Sequence, residues 1–310
     1  MGRFLVRRLF GAFITILLIS LFVVFTLRLS GDPTVALMQG TGGASPEQMA
    51  QMRHALGIDR PFYQQYLSYM GGLFRGDLGT SFRTGQPVGQ LIAGAMPATL
   101  ELAFASIALA LVISVPLGVL SAVRRGGLLD MAVRMLSLLG LSFPNFWLGI
   151  MLILVFAVGL GWFPPSGYGS GVSLVLPSLT LTLILSSTLV RLVRSTMLDA
   201  LSQQYVQTER AKGLAEAVVI YRHALRNALI PTVTFAGLQF GVLLGGTVIV
   251  EQVFSWPGAG RMVLDAISYR DYPVVQGSII FLAIPIVAVN FLVDFSYGLL
   301  DPRVKVGGEA

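Results

Sequence analysis

Cysteine is missing from all 310 positions, which removes disulfides and thiol chemistry from consideration. Histidine occurs twice, as His54 and His223, in loops that the topology derived below sets on opposite sides of a membrane. A paired-histidine metalloprotease site therefore fails on residue supply. Lysine also occurs twice: Lys212 follows Ala211 and Lys305 follows Val304, so no Gly-Lys-Ser/Thr phosphate loop exists. A Gly-x-Ser-x-Gly elbow is lacking too, because Gly140-Leu141-Ser142 runs on into Phe143-Pro144. Enzymatic classes are disfavoured, with no catalytic residue, no metal ligand set and no cofactor site to name. Charge itself is scarce, at 12% of residues, against 55% hydrophobic residues and a mean hydropathy of +0.77. That balance belongs to a membrane protein rather than to a soluble chain.

What is present in quantity is apolar sequence. A crossing needs about 20 mostly apolar residues to traverse a hydrocarbon core of about 30 Å, and only helices or closed barrels satisfy their backbone there. Uninterrupted runs near 9–29, 98–123, 135–160, 174–190, 229–250 and 277–300 select helices, and predict an all-α polytopic protein with six transmembrane helices. Arg3, Arg7 and Arg8 before the first run give it the look of a signal peptide. The run is too long for one, and Arg28-Leu29-Ser30-Gly31-Asp32 offers no small-x-small cleavage site, so it reads as a retained anchor. The resulting organisation is an anchor helix over 1–30, an extracytoplasmic loop or small cap over 31–97, a five-helix core over 98–300 and a tail over 301–310.

Short cytoplasmic loops hold the excess of Lys and Arg. With both termini in the cytoplasm, the inner side receives Arg3, Arg7, Arg8, Arg124, Arg125, Arg134, Arg191, Arg194, Arg210, Lys212, Arg222, Arg226, Arg303 and Lys305. On the outer side, Arg53, Arg60, Arg75 and Arg83 are balanced by Asp32, Glu47, Asp59 and Asp77, with Arg261 and Arg270 further on. The net charge of +6 thus reflects topology and attraction to anionic membrane lipids. Nucleic acid is not an expected partner, since the cations sit scattered at helix ends without a groove-binding face.

Six of the 21 cations fall between Arg191 and Arg226, inside a cytoplasmic segment over 191–228. Taken as a helix, Leu214, Val218, Tyr221 and Leu225 make an apolar stripe, and Glu209, Lys212, Glu216 and His223 a polar one, with Lys212 and Glu216 at i,i+4. Gly213 is a poor helix-interior residue, by about 1 kcal/mol relative to alanine, and so predicts a bend between two short helices. An amphipathic, bent segment serves either as a docking surface or as a linker lying on the inner leaflet.

Other residues carry paired readings. Asp294, with Asn290 one turn earlier, is an intramembrane acid and hence a candidate for the translocation path, or a group near the inner end that pairs locally. Pro116, Pro144 and Pro285 are ordinary kinks or gate hinges. Asn145, in Phe143-Pro144-Asn145-Phe146-Trp147, and Gln239, beside Phe240, line a path or pack between helices. The 31–97 loop, with Tyr63, Tyr66, Tyr69, Phe74 and Gly71-Gly72, is a solvated excursion or a folded cap.

The run Tyr205-Val206-Gln207-Thr208-Glu209-Arg210-Ala211-Lys212-Gly213-Leu214, followed by His223-Ala224-Leu225-Arg226-Asn227-Ala228-Leu229-Ile230-Pro231, resembles the cytoplasmic signature of ABC importer permeases. The peptide/nickel branch is the most similar. Leu29-Ser30-Gly31-Asp32-Pro33, Phe74-Arg75-Gly76-Asp77-Leu78-Gly79, Pro164-Pro165-Ser166-Gly167-Tyr168 and Phe254-Ser255-Trp256-Pro257-Gly258-Ala259-Gly260-Arg261 extend the resemblance over essentially the whole chain. The broad family pattern is Glu-Ala-Ala, three residues, Gly, nine residues, Ile-x-Leu-Pro. Anchored on Gly213, this sequence has Gln207-Thr208-Glu209 and His223-Ala224-Leu225-Arg226, so the leading acid and the terminal proline are missing. The leading glutamate's role therefore does not pass to Glu209.

The resemblance implies a type I ABC importer permease in a bacterial or archaeal inner membrane. Its partners would be a second homologous permease subunit, cytoplasmic ABC ATPase subunits and an extracytoplasmic substrate-binding protein, for which the 31–97 loop would be a docking surface. The implied coupling residues are Glu209, Arg210, Ala211, Lys212, Gly213, Leu214 and Val218. Pro231 fits the start of the fifth span, where its missing N–H costs little. The cargo would be a small peptide, glutathione or a nickel chelate. The rival class is an ion- or proton-coupled secondary transporter, whose internal repeat is not visible here.

Overall fold

The computed structural model describes residues 2–38, 45–284 and 287. Regular structure among them is helical, and Thr80 and Pro87 form an isolated antiparallel bridge. The first helix, α1 (Gly2–Leu29), is followed by α2 (Pro33–Met38). Asp32 starts α2 by accepting the Thr34 backbone N–H at 2.9 Å and the Thr34 hydroxyl at 2.7 Å, and Pro33 takes the first helical position. Ser45 and Gln48 exchange bonds in a capping box that opens α3 (Pro46–Ala55). Next come α4 (Phe62–Phe74) and the 36-residue α5 (Val88–Val123), about 54 Å long at 1.5 Å per residue. α5 stays helical through Pro97 and Pro116.

The third expected span is not one straight helix. α6 (Leu128–Ser142) and α7 (Asn145–Leu152), the latter prolonged by a π-helical stretch over Ile153–Gly159, are bent by 104° at the intervening Phe143-Pro144. Phe143 is extended (φ −101°, ψ 135°), as expected of a residue that a following proline drives out of the helical region. Beyond it lie α8 (Val175–Ser202), α9 (Gln204–Ala211), α10 (Glu216–Val218), a π-helical turn Val219–Ala224, and α11 (Leu225–Gly246). The series ends with α12 (Val248–Val253), α13 (Ala259–Ser268) and α14 (Tyr272–Ile284).

Among the described residues, four helical stretches are long and apolar enough to cross a membrane, and the α6/α7 pair makes a fifth. The sixth expected crossing, 277–300, falls mostly outside the described residues, as do Pro285, Asn290 and Asp294. Pro231 is not at a helix start, because α11 begins earlier and runs through it.

The chain forms two compact units. The first, Met1–Thr99 with Pro257–Ala310, is centred on Val23 and Leu27 of α1, Val88 and Ile92 of α5, Ala266 of α13 and Val274-Val275 of α14. Its polar tie is Asp271, 4% exposed, which accepts the Ser81 hydroxyl and the Phe82 backbone N–H at 2.9 Å. In the second unit, Leu100–Trp256, α8 is the most enclosed helix, packing against α6, α7 and α11. Lipid gives helices no hydrophobic reason to associate, so close packing and polar contacts must hold them. Gly118 supplies the first: a Cβ there would lie 2.6 Å from the Val193 side chain. Thr182 supplies the second, its hydroxyl donating to the Ser106 carbonyl at 3.1 Å.

Candidate functional site

The segment that follows α8 departs from a continuous helix at two places. Gln203 is extended (φ −71°, ψ 149°) and separates α8 from α9. α9 then ends at Ala211, and the chain turns at Gly213 in the left-handed region (φ +80°), which glycine adopts without strain. The bend expected at Gly213 is therefore present. Two ion pairs border it: Lys212 with Glu209 at 3.1 Å, and Arg210 with Glu216 through two bonds of 3.0 and 2.5 Å. The expected i,i+4 relation of Lys212 and Glu216 disappears, since the turn between them leaves no helical register to share.

The apolar side also differs from a simple helical projection. Val206, Val219, Ile220, Ala224 and Ala228 are buried in one cluster with Val119 and Ala122 of α5 and Val193, Met197 and Ala200 of α8. Leu214, Val218 and Tyr221, expected to share a face with Leu225, are instead exposed, Tyr221 at 58%, while Leu225 packs against the cluster. The cause is the turn at Gly213 together with the π-helical turn Val219–Ala224, whose wider winding shifts the phase of the residues after it. Residues 211–218 are exposed without interruption. They form a projection with an apolar tip, clasped by its own ion pairs and rooted in the C-terminal ends of α5 and α8. At its base the Asn227 side-chain amide donates to the Tyr205 hydroxyl at 3.0 Å.

Close to this base lies a buried polar knot that the sequence reading does not single out. Asp130 of α6, 1% exposed, accepts two bonds from Arg194 of α8 at 2.7 and 3.0 Å. It also accepts the Ser121 hydroxyl at 2.6 Å and the Gly126 backbone N–H at 3.0 Å, with Arg134 at 3.6 Å. The carboxylate is thus saturated with donors, as burial requires. Its side-chain hydrogen-bond donors Ser121 and Arg194 lie 9 and 64 residues away, and no local pattern announces the longer pairing.

Of the candidate path residues, Asn145 and Gln239 lie on different helices, and Asn290 and Asp294 fall outside the described residues. Asn145 opens α7 directly after the Pro144 break, and Gln239 sits half-buried on α11 beside Phe240, whose ring lies 4.5 Å from that of Phe104. No hydrogen bond joins Asn145 to Gln239. Among the described residues, no group of three or more His, Cys, Asp or Glu side chains could hold a metal ion.

In comparison with known proteins, residues 114–306 match the family model for the binding-protein-dependent transport system inner membrane component, and residues 1–103 match the model for the N-terminal part of such membrane components. The sequence is 42% identical to the di/tripeptide transport system permease protein DppB of Pseudomonas aeruginosa (strain UCBPP-PA14), over 98% of this chain and 99% of that protein. It is 40% identical to the dipeptide transport system permease protein DppB of Escherichia coli (strain K12), with the same 98% and 99% covered. Among solved structures, the inward-facing MetNI methionine ABC transporter superposes with a TM-score of 0.55 at 21% identity, over 68% of this chain and 97% of that one, which is a likeness of fold.

Proposed function

Because the chain belongs to the family of binding-protein-dependent transport system inner membrane components, we propose that it takes up peptides, and that a separate ATPase drives it through the projection at 209–218. The protein is a multi-pass membrane permease subunit of an ABC importer. Family membership sets aside the ion- or proton-coupled secondary transporter. Small peptides are the cargo class, by similarity to the two DppB proteins.

The observation that carries the coupling proposal is the exposed apolar tip Leu214, Val218 and Tyr221 on a segment whose other face is firmly rooted. A permease without a Gly-Lys-Ser/Thr loop has no nucleotide site of that kind and must receive work by contact, for which a clasped, rigid projection suits better than a loose loop. Glu209, Arg210, Ala211, Lys212, Gly213, Leu214 and Val218 form the contact. Arg210, Lys212, Glu209 and Glu216 hold its shape through their ion pairs, and Leu214 and Val218 enter the ATPase surface. The ATPase lies in the cytoplasm, so the amino and carboxyl termini lie there too. A second homologous permease subunit completes the pathway, and a substrate-binding protein delivers cargo from outside. Asn145, Gln239, Asn290 and Asp294 are proposed to line the pathway.

The test is co-purification of the ATPase with membrane-inserted Gly213→Val and Leu214→Asp variants. Valine is strained at φ +80°, and aspartate puts a charge on the apolar tip. Both are expected to insert normally and to lose association or substrate-stimulated ATP turnover. Full association and transport in both would leave the segment a leaflet-bound linker.

A further inference from the structure

Residues 31–97 are expected outside the membrane, yet one helix of this stretch packs against α1. Phe62, at the start of α4, meets Phe25 edge-on with ring centroids 6.2 Å apart, and the Arg28 guanidinium lies 5.9 Å from the Phe62 ring. Further along α4, the Tyr66 hydroxyl is 3.0 Å from the Ser20 hydroxyl, which also contacts the Met70 sulfur at 3.7 Å. α4 therefore crosses α1, Phe62 meeting it near its outer end and the side chains of Tyr66 and Met70 both reaching Ser20, while Arg60 before α4 and Arg75 and Asp77 after it are exposed. Ser20 precedes Leu29 by nine residues, about 13 Å at 1.5 Å per residue, nearly half of a hydrocarbon core of about 30 Å.

Composition agrees with this depth. α4 has no charged side chain in its 13 residues, whereas α3, just before it, carries Glu47, Arg53 and His54 and buries nothing. Beside the face turned to α1, Tyr63, Leu67 and Phe74 are exposed at 60, 65 and 72%, and at 3.6 residues per turn they fall within about 40° of one another. α1 exposes Phe22 and Phe25 in the same way, and the two apolar surfaces meet at the Phe25–Phe62 contact. The hydroxyls of Ser20 and Tyr66 satisfy each other, so neither remains an unpaired polar group at depth.

We propose that α4 lies obliquely in the outer leaflet, its charged flanks Arg60 and Arg75 at the headgroups and Tyr63 and Leu67 in contact with lipid acyl chains. It is then a lateral brace for α1 within the membrane, distinct from the polar α3 that precedes it. The choice of leaflet rests on the cytoplasmic amino terminus proposed above, whereas immersion rests on the α1–α4 contacts alone. The chain has no cysteine, so single cysteines can carry an environment-sensitive fluorophore without background. The full chain is reconstituted in vesicles containing lipids brominated on their acyl chains, with Tyr63→Cys and Leu67→Cys as probes, Phe22→Cys as the lipid-exposed reference and Gln51→Cys on α3 as the aqueous reference. Labels at positions 63 and 67 are expected to be quenched by bromolipid as strongly as the label at 22, and to be spared by aqueous iodide. Quenching by iodide as at position 51 would make α4 part of an aqueous cap. Protection from both quenchers would mean that protein, a second copy or another subunit, covers this face; either result overturns the proposal. A maleimide that cannot cross the membrane, applied to Gln51→Cys from each side, reads the leaflet separately.

Discussion

Arg194 of α8 grips the buried carboxylate of Asp130 on α6 through two hydrogen bonds, at 2.7 and 3.0 Å, across 64 residues of sequence. The pair fastens α6 to the helix that leads directly into the exposed projection. Removing one member of a buried pair strands the other, at a cost that runs to about 3–5 kcal/mol; Arg194 is 20% exposed, which favours the lower end. Asp130→Asn is expected to reduce the thermal stability of the solubilised protein substantially. The double variant Asp130→Leu with Arg194→Met, which leaves no stranded charge, is expected to recover much of that loss.

Gly118 lies where α5 approaches α8 too closely for any side chain, with the Val193 Cβ 2.6 Å and the Val190 carbonyl oxygen 3.1 Å from a Cβ built there. Gly118→Ala is expected to push the two helices apart and lower stability by about 1–3 kcal/mol, the usual range for overpacking. A compensating Val193→Gly, which removes the clashing Cβ at the usual helix cost of glycine of about 1 kcal/mol, should restore part of it. Thermal denaturation of the three variants measures this.

Sidedness follows from the distribution of arginines. Ser81 is enclosed by its bond to Asp271, so Gln86, exposed a few residues later, is the better outer reporter, with Ser202 as the inner one. Cysteines at these positions are expected to react with impermeant maleimide from opposite sides, Gln86→Cys from outside and Ser202→Cys from inside. Labelling of both from one side contradicts the topology.

Asp32 is subject to opposing influences. Burial pushes its pKa up, but the Thr34 hydroxyl and N–H and the Arg53 guanidinium at 2.5 Å outweigh that and hold it below the ordinary aspartate range. A depressed folded pKa stabilises above the unfolded value, and that contribution is lost as pH falls through the folded one. Amide protection of α2 and α3 is therefore expected to be constant near neutrality and to fall only in acid. Hydrogen exchange on Asp32→Asn should show lower protection at neutral pH and no acid step.

Helical class, membrane location and the Gly213 turn were legible in the sequence because each rests on local information: run length, hydropathy and one residue's backbone preference. The break at Phe143-Pro144 was visible as a proline, but not as a 104° change of direction, which depends on how α7 packs after the break. Projection onto a regular helix grouped Leu225 with Leu214, Val218 and Tyr221, whereas Leu225 packs inward and the other three are exposed, since a π-helical turn has no clear sequence signature. Pro231 marked no helix start because α11 begins six residues earlier, at Leu225. Asp130–Arg194 and Ser81–Asp271 join residues 64 and 190 positions apart, and pairings of that range are set by tertiary packing alone.

The most direct test of the coupling account uses a single cysteine in place of Leu214. In the assembled transporter, Leu214→Cys carrying a short photoactivatable cross-linker should join the ATPase subunit, and assembly should shield this cysteine from water-soluble maleimide. If the cross-linker instead captures lipid, and maleimide reactivity is the same with and without the ATPase, the projection is not where the permease is driven.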